Sequence, residues 1–129
     1  MYGRKKGFLA QIDRIVPWGE WVAKIKPYYY KGGGNKPCDS ERMLGIYMLQ
    51  NLYDLPDMGT VAEVIDSRVF SEFCRVDSSS QVPDWDTPGR FRHILEEDGI
   101  RQKLFAQVIQ RLMEKKLIVT RNNMGKKIK

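Results

Sequence analysis

Apolar residues recur at helical spacing in several successive segments of the chain. Near the amino end they predict two short helices, one on either side of Pro17. Residues 31–37 contain three successive glycines, which predict a loop because glycine disfavours helix. Residues 40–52 are apolar on almost every side, with an N-cap at Asp39 or Ser40, and are predicted to form the buried central helix.

The second half of the chain carries four further helical patterns. They cover residues 60–67, 69–76, 88–97 and 100–116. Gly45 inside the central helix costs ~1 kcal/mol of helix propensity against alanine, which indicates a close helix crossing there. Residues 117–119 suggest a short strand, and the basic tail 120–129 is expected to be disordered. The sequence therefore predicts an all-α fold, a compact multi-helix bundle, with a single domain over residues 1–119.

The composition narrows the class of protein. With 129 residues and a hydrophobic content of 42%, the chain has the size and hydropathy of one globular domain. Cys38, Cys74 and His93 are too few for a disulfide scaffold, or for a four-ligand zinc site without carboxylates. No apolar run approaches the ~20 residues of a membrane span, and no signal-peptide pattern follows the basic start. We therefore expect a cytoplasmic domain without membrane contact, metal, cofactor or small-molecule substrate.

Charge is unevenly distributed along the chain, whose formal net charge is +6. Residues 1–36 hold eight Lys or Arg against two acids, and residues 101–129 hold nine against one. Residues 37–100 hold five Lys or Arg against thirteen acids. Basic segments attract phosphate backbones and release counterions, which makes nucleic acid the leading partner class. The alternative is a solvated surface followed by a disordered tail.

Residues 82–95, with the sequence VPDWDTPGRFRHIL, are the most informative segment. A threonine N-cap at Thr87, followed by proline, predicts a sharp helix start. Two short helices precede this helix, and Arg90, Arg92 and His93 fall on its first two turns. This is the outline of a helix-turn-helix, whose last helix enters the major groove, where arginine matches guanine. The alternative is an ordinary amphipathic helix with solvated arginines.

The remaining motifs predict no catalytic constellation and no metal site. The glycine-rich loop lacks the lysine and hydroxyl residue of a phosphate-binding P-loop, and the acids show no spacing for two-metal chemistry. Asp84 and Asp86 are typical of a cap or turn. Lys31 and Lys36, at the basic amino end, are expected to hold DNA phosphates, which position a protein on the duplex without specifying sequence.

Several motifs occur together, in order, along most of the chain. They are Pro27-Tyr28-Tyr29 with the glycine-rich loop, Met43-Leu44 through Leu49-Gln50, Phe73-Cys74, Pro83-Asp84 and Arg90-Phe91-Arg92-His93. Over about residues 8–119 this combination resembles the N-terminal domain of bacterial insertion-sequence-five-type DDE transposases. The resemblance implies a helical domain that binds the terminal inverted repeats of the element and helps to pair its ends. It also implies a downstream RNase H-like catalytic domain, in which a carboxylate triad holds two Mg²⁺ ions.

The chain departs from the family pattern at two places. No residue after Glu114 is acidic, so no member of the triad can be assigned, and we expect a chain truncated before the catalytic domain. Residues 85–88 read Trp-Asp-Thr-Pro where the family usually has a small acidic or hydroxyl residue and two threonines. A decayed transposase copy, a cloned domain and a short protein retained as a DNA binder are the three explanations of the truncation.

Two functional hypotheses follow. In the first, the chain binds double-stranded DNA at transposon ends in the nucleoid, through Thr87, Arg90, Arg92 and His93, and catalyses nothing alone. In the second, it is a protein–protein module that pairs with a second copy or with a full-length transposase, using helix 100–116 as the partner face. A further alternative is an inactive truncated relic that binds the ends without cutting and competes with the full-length transposase.

Overall fold

The computed structural model of the protein describes residues 2–29, 39–97 and 99–114. Within these residues the chain forms seven α-helices, one short 3₁₀ helix and no β-strand, so the predicted all-α fold is confirmed. The α-helices are α1 (Tyr2–Ile15), α2 (Trp18–Tyr29), α3 (Ser40–Tyr53), α4 (Thr60–Asp66), α5 (Arg68–Phe73), α6 (Thr87–Glu97) and α7 (Ile100–Glu114). The predicted loop 31–37, the strand 117–119 and the tail 120–129 lie outside the described residues, as does the domain boundary at residue 119.

α3 lies at the centre of the bundle. The carboxylate of Asp39 caps it by accepting the backbone N–H of Arg42 at 3.1 Å, which satisfies one of the unpaired donors at the helix start. Residues 43–50 are buried without interruption, so α3 has no solvent-facing side over two turns. Because α2, α4 and α6 all pack against α3, the prediction of a buried central helix is confirmed.

Gly45 is the point of closest approach between α3 and the turn that follows α5. A Cβ atom at this position would lie 3.3 Å from the Cα of Cys74 and 3.4 Å from its Sγ. Contacts that short force the neighbouring chain to move, and here the nearest neighbour is backbone rather than a flexible side chain end. The close helix crossing predicted from the glycine is therefore found, although the partner is the end of α5.

Arg75 holds this turn against three helices. It has a left-handed backbone with φ of 60°, a conformation that is uncommon for a residue with a side chain. Its Nη2 lies 2.8 Å from Asp13 of α1, and its Nε lies 2.9 Å from Glu41 of α3. Its guanidinium also stacks over the ring of Trp18 at 4.9 Å. These side-chain contacts fix the turn in the conformation that brings Cys74 against α3.

Aromatic rings join the elements around the carboxyl half of the bundle. Tyr47 of α3 lies edge-on to Phe91 of α6 and to Phe105 of α7, with ring centroids 6.0 Å and 5.8 Å apart. Edge-to-face pairs are favourable because the positive ring edge meets the negative face. Tyr47 and Phe91 are almost completely buried, so this cluster sets how α6 and α7 lie on the central helix.

Helix boundaries differ from the prediction at several places. The helix predicted over residues 69–76 spans Arg68–Phe73, and the helix predicted over 60–67 ends at Asp66. α2 continues through Pro27 to Tyr29, because this proline lies in the last turn, where its missing N–H removes a single hydrogen bond. α6 begins at Thr87 itself rather than after it, and the Thr87 N–H donates to the Asp84 carbonyl at 3.0 Å. Finally, the 3₁₀ helix Ser79–Gln81 forms between α5 and α6, where no helix was predicted.

The close approach at Gly45 generates a prediction with an internal control. Gly45→Ala should destabilise the protein by about 1 kcal/mol, because crowding against backbone outweighs the gain in helix propensity. Gly7→Ala, on an exposed face of α1 with no atom within 4 Å, should instead stabilise it by about 0.5–1 kcal/mol. Urea denaturation followed by circular dichroism measures both, and equal signs for the two variants would contradict the packing argument.

Candidate nucleic-acid interface

α6 presents a polar face to solvent because its apolar face is anchored in the core. Phe91 and Leu95 are completely covered, and Pro88 is buried at the start of the helix. The helix packs against α2, α3 and α7, which leaves the side chains of Arg90 and His93 on the open side. The predicted amphipathic helix with basic residues on its outer face is therefore present.

Arg92 is bonded through all three guanidinium nitrogens. Its Nε donates to Asp57 Oδ1 at 3.0 Å, and its Nη2 donates to Asp57 Oδ2 at 2.6 Å, in a two-pronged pair. Its Nη1 donates to Glu96 Oε1 at 2.9 Å. Asp57 lies in the turn between α3 and α4, so this arginine ties α6 to the far end of the central helix. Contact of Arg92 with DNA would require it to leave these carboxylates.

The pair belongs to a longer polar network around the ends of α3, α6 and α7. Asp57 Oδ1 also accepts from Gln50 Nε2 at 2.9 Å. Glu96 lies 3.8 Å from Arg101 of α7, whose Nη2 donates to Asn51 of α3 at 2.9 Å. Positive and negative groups alternate along this path, so each charge has an opposite neighbour. The network closes the surface of the bundle beside the buried Tyr47.

The network changes the protonation of its members. The hydrogen bond from Arg92 holds the pKa of Asp57 below its ordinary value of 3.8, with a smaller opposing effect of burial. The same bond raises the pKa of Arg92, which is therefore charged at every accessible pH. Burial raises the pKa of Tyr47 to about 12, so its phenol stays neutral. The pair is consequently an ion pair throughout the neutral range.

Arg90 is placed very differently. Its side chain is 64% exposed, and its partners are Asp86 one turn earlier and the hydroxyl of Thr87, which accepts from Nη2 at 3.3 Å. An exposed pair one helical turn apart contributes only ~0.3–0.5 kcal/mol, so Arg90 can exchange these partners at little cost. The Thr87 hydroxyl therefore contacts the guanidinium of Arg90, and both residues were predicted to contact DNA. His93, also exposed, lies on the same side of the helix.

An open groove runs between α6 and the turn that precedes α4. Met58, Gly89 and Ile94 supply its apolar wall, and Arg90 and His93 lie along it. Trp85, which is 57% exposed, lies just before α6. This patch of apolar surface was not singled out by sequence reasoning, because neither Met58 nor Trp85 belongs to a periodic pattern.

Two acids and two arginines line this groove, and three further acids lie next to it in sequence. Asp57 and Asp86 line it, and Asp84, Glu96 and Glu97 lie on the same segment or helix as Arg90. Phosphates are therefore repelled from much of the surface that surrounds the predicted reading helix. The phosphate contacts predicted at Lys31 and Lys36 remain predictions, since both lysines lie outside the described residues.

The predicted helix-turn-helix outline is not established by this packing. Residues 74–86 connect α5 to α6, whereas the motif joins its two helices by a turn of about 3–4 residues. α6 packs mainly on α2, α3 and α7, while α4 and α5 pack mainly on each other and on α3 and α1. α6 is therefore an exposed, arginine-bearing helix of a larger bundle.

No group of three or more His, Cys, Asp or Glu side chains in residues 2–29, 39–97 and 99–114 is arranged to hold a metal ion. Among the same residues, no helix has the length and apolar character needed to cross a bilayer.

Comparison with known families identifies the class of this helical bundle. The family described as "Transposase domain (DUF772)" matches residues 2–94, which includes α1 to α5 and the first two turns of α6. The chain therefore belongs to this transposase-domain family. The match ends just after Arg92 and His93, and α7 lies beyond it. No solved structure matches the chain.

The lowered pKa of Asp57 predicts how stability depends on pH. The Arg92 pair should contribute its full stability above about pH 4, and lose it as the pH falls through the lowered pKa, when the carboxylate takes up a proton. Asp57→Asn should therefore be less stable than wild type by about 1–2 kcal/mol at pH 7, and this gap should narrow below pH 4.

Asp86→Asn is the matched control, because Asp86 also pairs with an arginine of α6 but in an exposed position. It should change the free energy of unfolding by less than about 0.5 kcal/mol at either pH. Urea titrations at neutral and acidic pH provide the comparison. A gap for Asp57→Asn that is independent of pH would show that the ion pair does not stabilise the fold.

Proposed function

We propose that this domain binds double-stranded DNA at the terminal inverted repeats of a transposable element, as the DNA-binding part of a DDE transposase of the insertion-sequence-five type. The observation that carries the proposal is the match to the transposase domain over residues 2–94, whose last segment is the first two turns of α6. In this proposal the chain catalyses no strand cleavage by itself, and its place is on DNA in the cytoplasm.

Arg90 is the side chain we assign to base recognition. It projects from the first turn of α6, which the buried side chains of Phe91 and Leu95 anchor in the core. Its planar guanidinium can donate hydrogen bonds to both major-groove acceptors of guanine. Thr87 and His93 lie within one turn of it on the same helix and supply further polar contacts. Lys31 and Lys36 are proposed phosphate contacts.

Arg92 has a different part in the proposal. Because Asp57 and Glu96 already occupy its three nitrogens, its first role is to fix the helix that presents Arg90. The direct contact between Arg92 and DNA that the sequence predicted would require Arg92 to break its two hydrogen bonds to Asp57. Recognition of a base requires a side chain held to within a fraction of an ångström, and this anchoring supplies that precision.

Arg90→Ala should reduce the preference for inverted-repeat DNA over a scrambled duplex by about 5- to 100-fold, since one arginine–guanine contact contributes ~1–3 kcal/mol of discrimination. Fluorescence anisotropy at fixed salt measures the two affinities. Arg68→Ala is the matched control, because Arg68 is also an exposed arginine with a carboxylate, Glu72, one turn away, but on α5. A full repeat preference in Arg90→Ala would overturn the assignment.

A second candidate function is pairing of two copies, or of this chain with a full-length transposase. It is favoured by α7, whose predicted apolar stripe is wider than the part the core covers. Ile109 remains 46% exposed, and Met113 on the same side is only partly covered. A chain that occupied transposon ends or paired with the active enzyme without cutting would act as a competitor of transposition.

If α7 supports pairing, the wild-type chain should form dimers at high concentration and Ile109→Glu should return it to monomer, because a buried unpaired charge opposes association. Light scattering after size exclusion measures the mass. Gln102→Glu, which adds the same charge to an exposed site on α7, is the control. A wild-type chain that stays monomeric at high concentration would exclude pairing by this surface.

A further inference from the structure

The groove beside α6 has an apolar wall to which the proposed function gives no part. Met58 lies in the turn before α4, Ile94 lies in the second turn of α6, and both line the groove with Gly89. Met58 is 63% exposed, and Ile94 is only partly covered. Among the described residues, neither belongs to the hydrophobic core or to the apolar side chains that pack against it. Both therefore present apolar surface to whatever enters the groove.

Helical spacing places Ile94 next to Arg90. The two residues are four positions apart on α6, so their side chains are neighbours on one face of the helix, with Cβ atoms ~5–6 Å apart. His93, three positions after Arg90, lines the same groove. Successive nucleotides of a duplex are ~3.4 Å apart along each strand. When Arg90 reaches one base pair, Ile94 is therefore within reach of a base pair one or two steps away.

Each acid that lines the groove pairs with an arginine that also lines it. Asp86 lies within hydrogen-bond distance of Arg90, and Asp57 binds Arg92. These four side chains together carry no net charge, so the lining does not select a ligand by charge alone. A ligand of this groove is instead recognised by hydrogen bonds to the arginine that can exchange its partner, and by contact with the apolar wall.

We propose that the apolar wall contacts the C5 methyl group of a thymine in the major groove, within two base pairs of the guanine that Arg90 reads. The inference rests on the DNA binding proposed above, and it adds a second base to the site that α6 recognises. Thymine presents this methyl group at its major-groove edge, where apolar side chains can touch it, whereas guanine presents two hydrogen-bond acceptors. The contact is favourable because it removes apolar surface of both partners from water.

The test replaces thymine by deoxyuridine, which lacks only this methyl group. A fluorescein-labelled inverted-repeat duplex is compared with copies in which one thymine at a time is replaced, and fluorescence anisotropy at fixed salt gives each affinity. For the wild-type chain we expect one or two positions at which the replacement weakens binding by about 2- to 5-fold, the effect of losing one buried methyl group. A scrambled duplex of equal length, treated in the same way, should show no such position.

Variants of the wall show whether it is the partner of the methyl group. Met58→Ala and Ile94→Ala should each reduce the deoxyuridine penalty, and the double variant should abolish it, because the contact that deoxyuridine removes is then already missing. Ile65→Ala is the matched control, since Ile65 is 44% exposed on α4 and does not line this groove. It should keep the full penalty. Circular dichroism verifies folding, and Met58→Ala, in an exposed turn, tests the wall even if Ile94→Ala is unstable.

Two results would overturn the proposal. One is a wild-type chain that binds every deoxyuridine duplex as tightly as the parent duplex. The other is a full deoxyuridine penalty in the double variant. If the double variant keeps the penalty but loses self-association in light scattering, the wall contacts a second copy of the chain instead.

The outcomes also separate this inference from the proposed function. If wild type prefers the repeat but tolerates every deoxyuridine, end binding stands and the thymine contact is wrong. If wild type binds the repeat and the scrambled duplex equally, but shows a deoxyuridine penalty that the double variant loses, the thymine contact stands and repeat recognition is wrong. If wild type binds neither duplex, both proposals fall.

Discussion

The burial of α3 on all sides is the constraint on which the rest of the bundle depends. A helix without a solvent face must be covered by several others, and α2, α4 and α6 do this. At Gly45 the covering layer is so close that a Cβ atom would require the neighbouring backbone to shift, and Arg75 holds the covering turn with its carboxylate partners. The aromatic contacts of Tyr47 then set the positions of α6 and α7. The orientation of the exposed arginine helix is thus a consequence of how the central helix is covered.

Folding redistributes the charge that the sequence divides into three blocks. In the acidic middle segment, Arg90 pairs with Asp86 and Arg92 pairs with Asp57. Because residues 37–100 hold five arginines against thirteen acids, acids remain in excess on this segment. Described parts of the two basic ends meet at α7, because α1 packs on it, Arg111 donates to the carbonyl of Ile15 and Trp21 donates to Gln107. The charge pattern is therefore informative about a partner only after the chain is folded.

Features with a local cause were predictable from the sequence. The periodicity of α3 and α7, the Asp39 cap and the crowding at Gly45 all depend on residues a few positions apart, or on the unusual presence of glycine. The pairing of Arg92 with Asp57 was not predictable, because the two residues are 35 positions apart and Asp57 lies in a turn. Sequence reasoning weighted Arg90 and Arg92 equally, and their surroundings distinguish them. The contact of Trp21 with Gln107 was hidden for the same reason, because the two residues are 86 positions apart.

The acidic surroundings of Arg90 lower the affinity of α6 for every duplex alike in the proposed complex. Any DNA that approaches α6 brings phosphates towards Asp84 and Asp86, and every duplex meets this repulsion equally. To bind, Arg90 must also release Asp86, which again costs the same for every sequence. Because these costs cancel when two sequences are compared, discrimination between bases has to come from contacts with the bases themselves, such as that of the Arg90 guanidinium with a base that offers two acceptors.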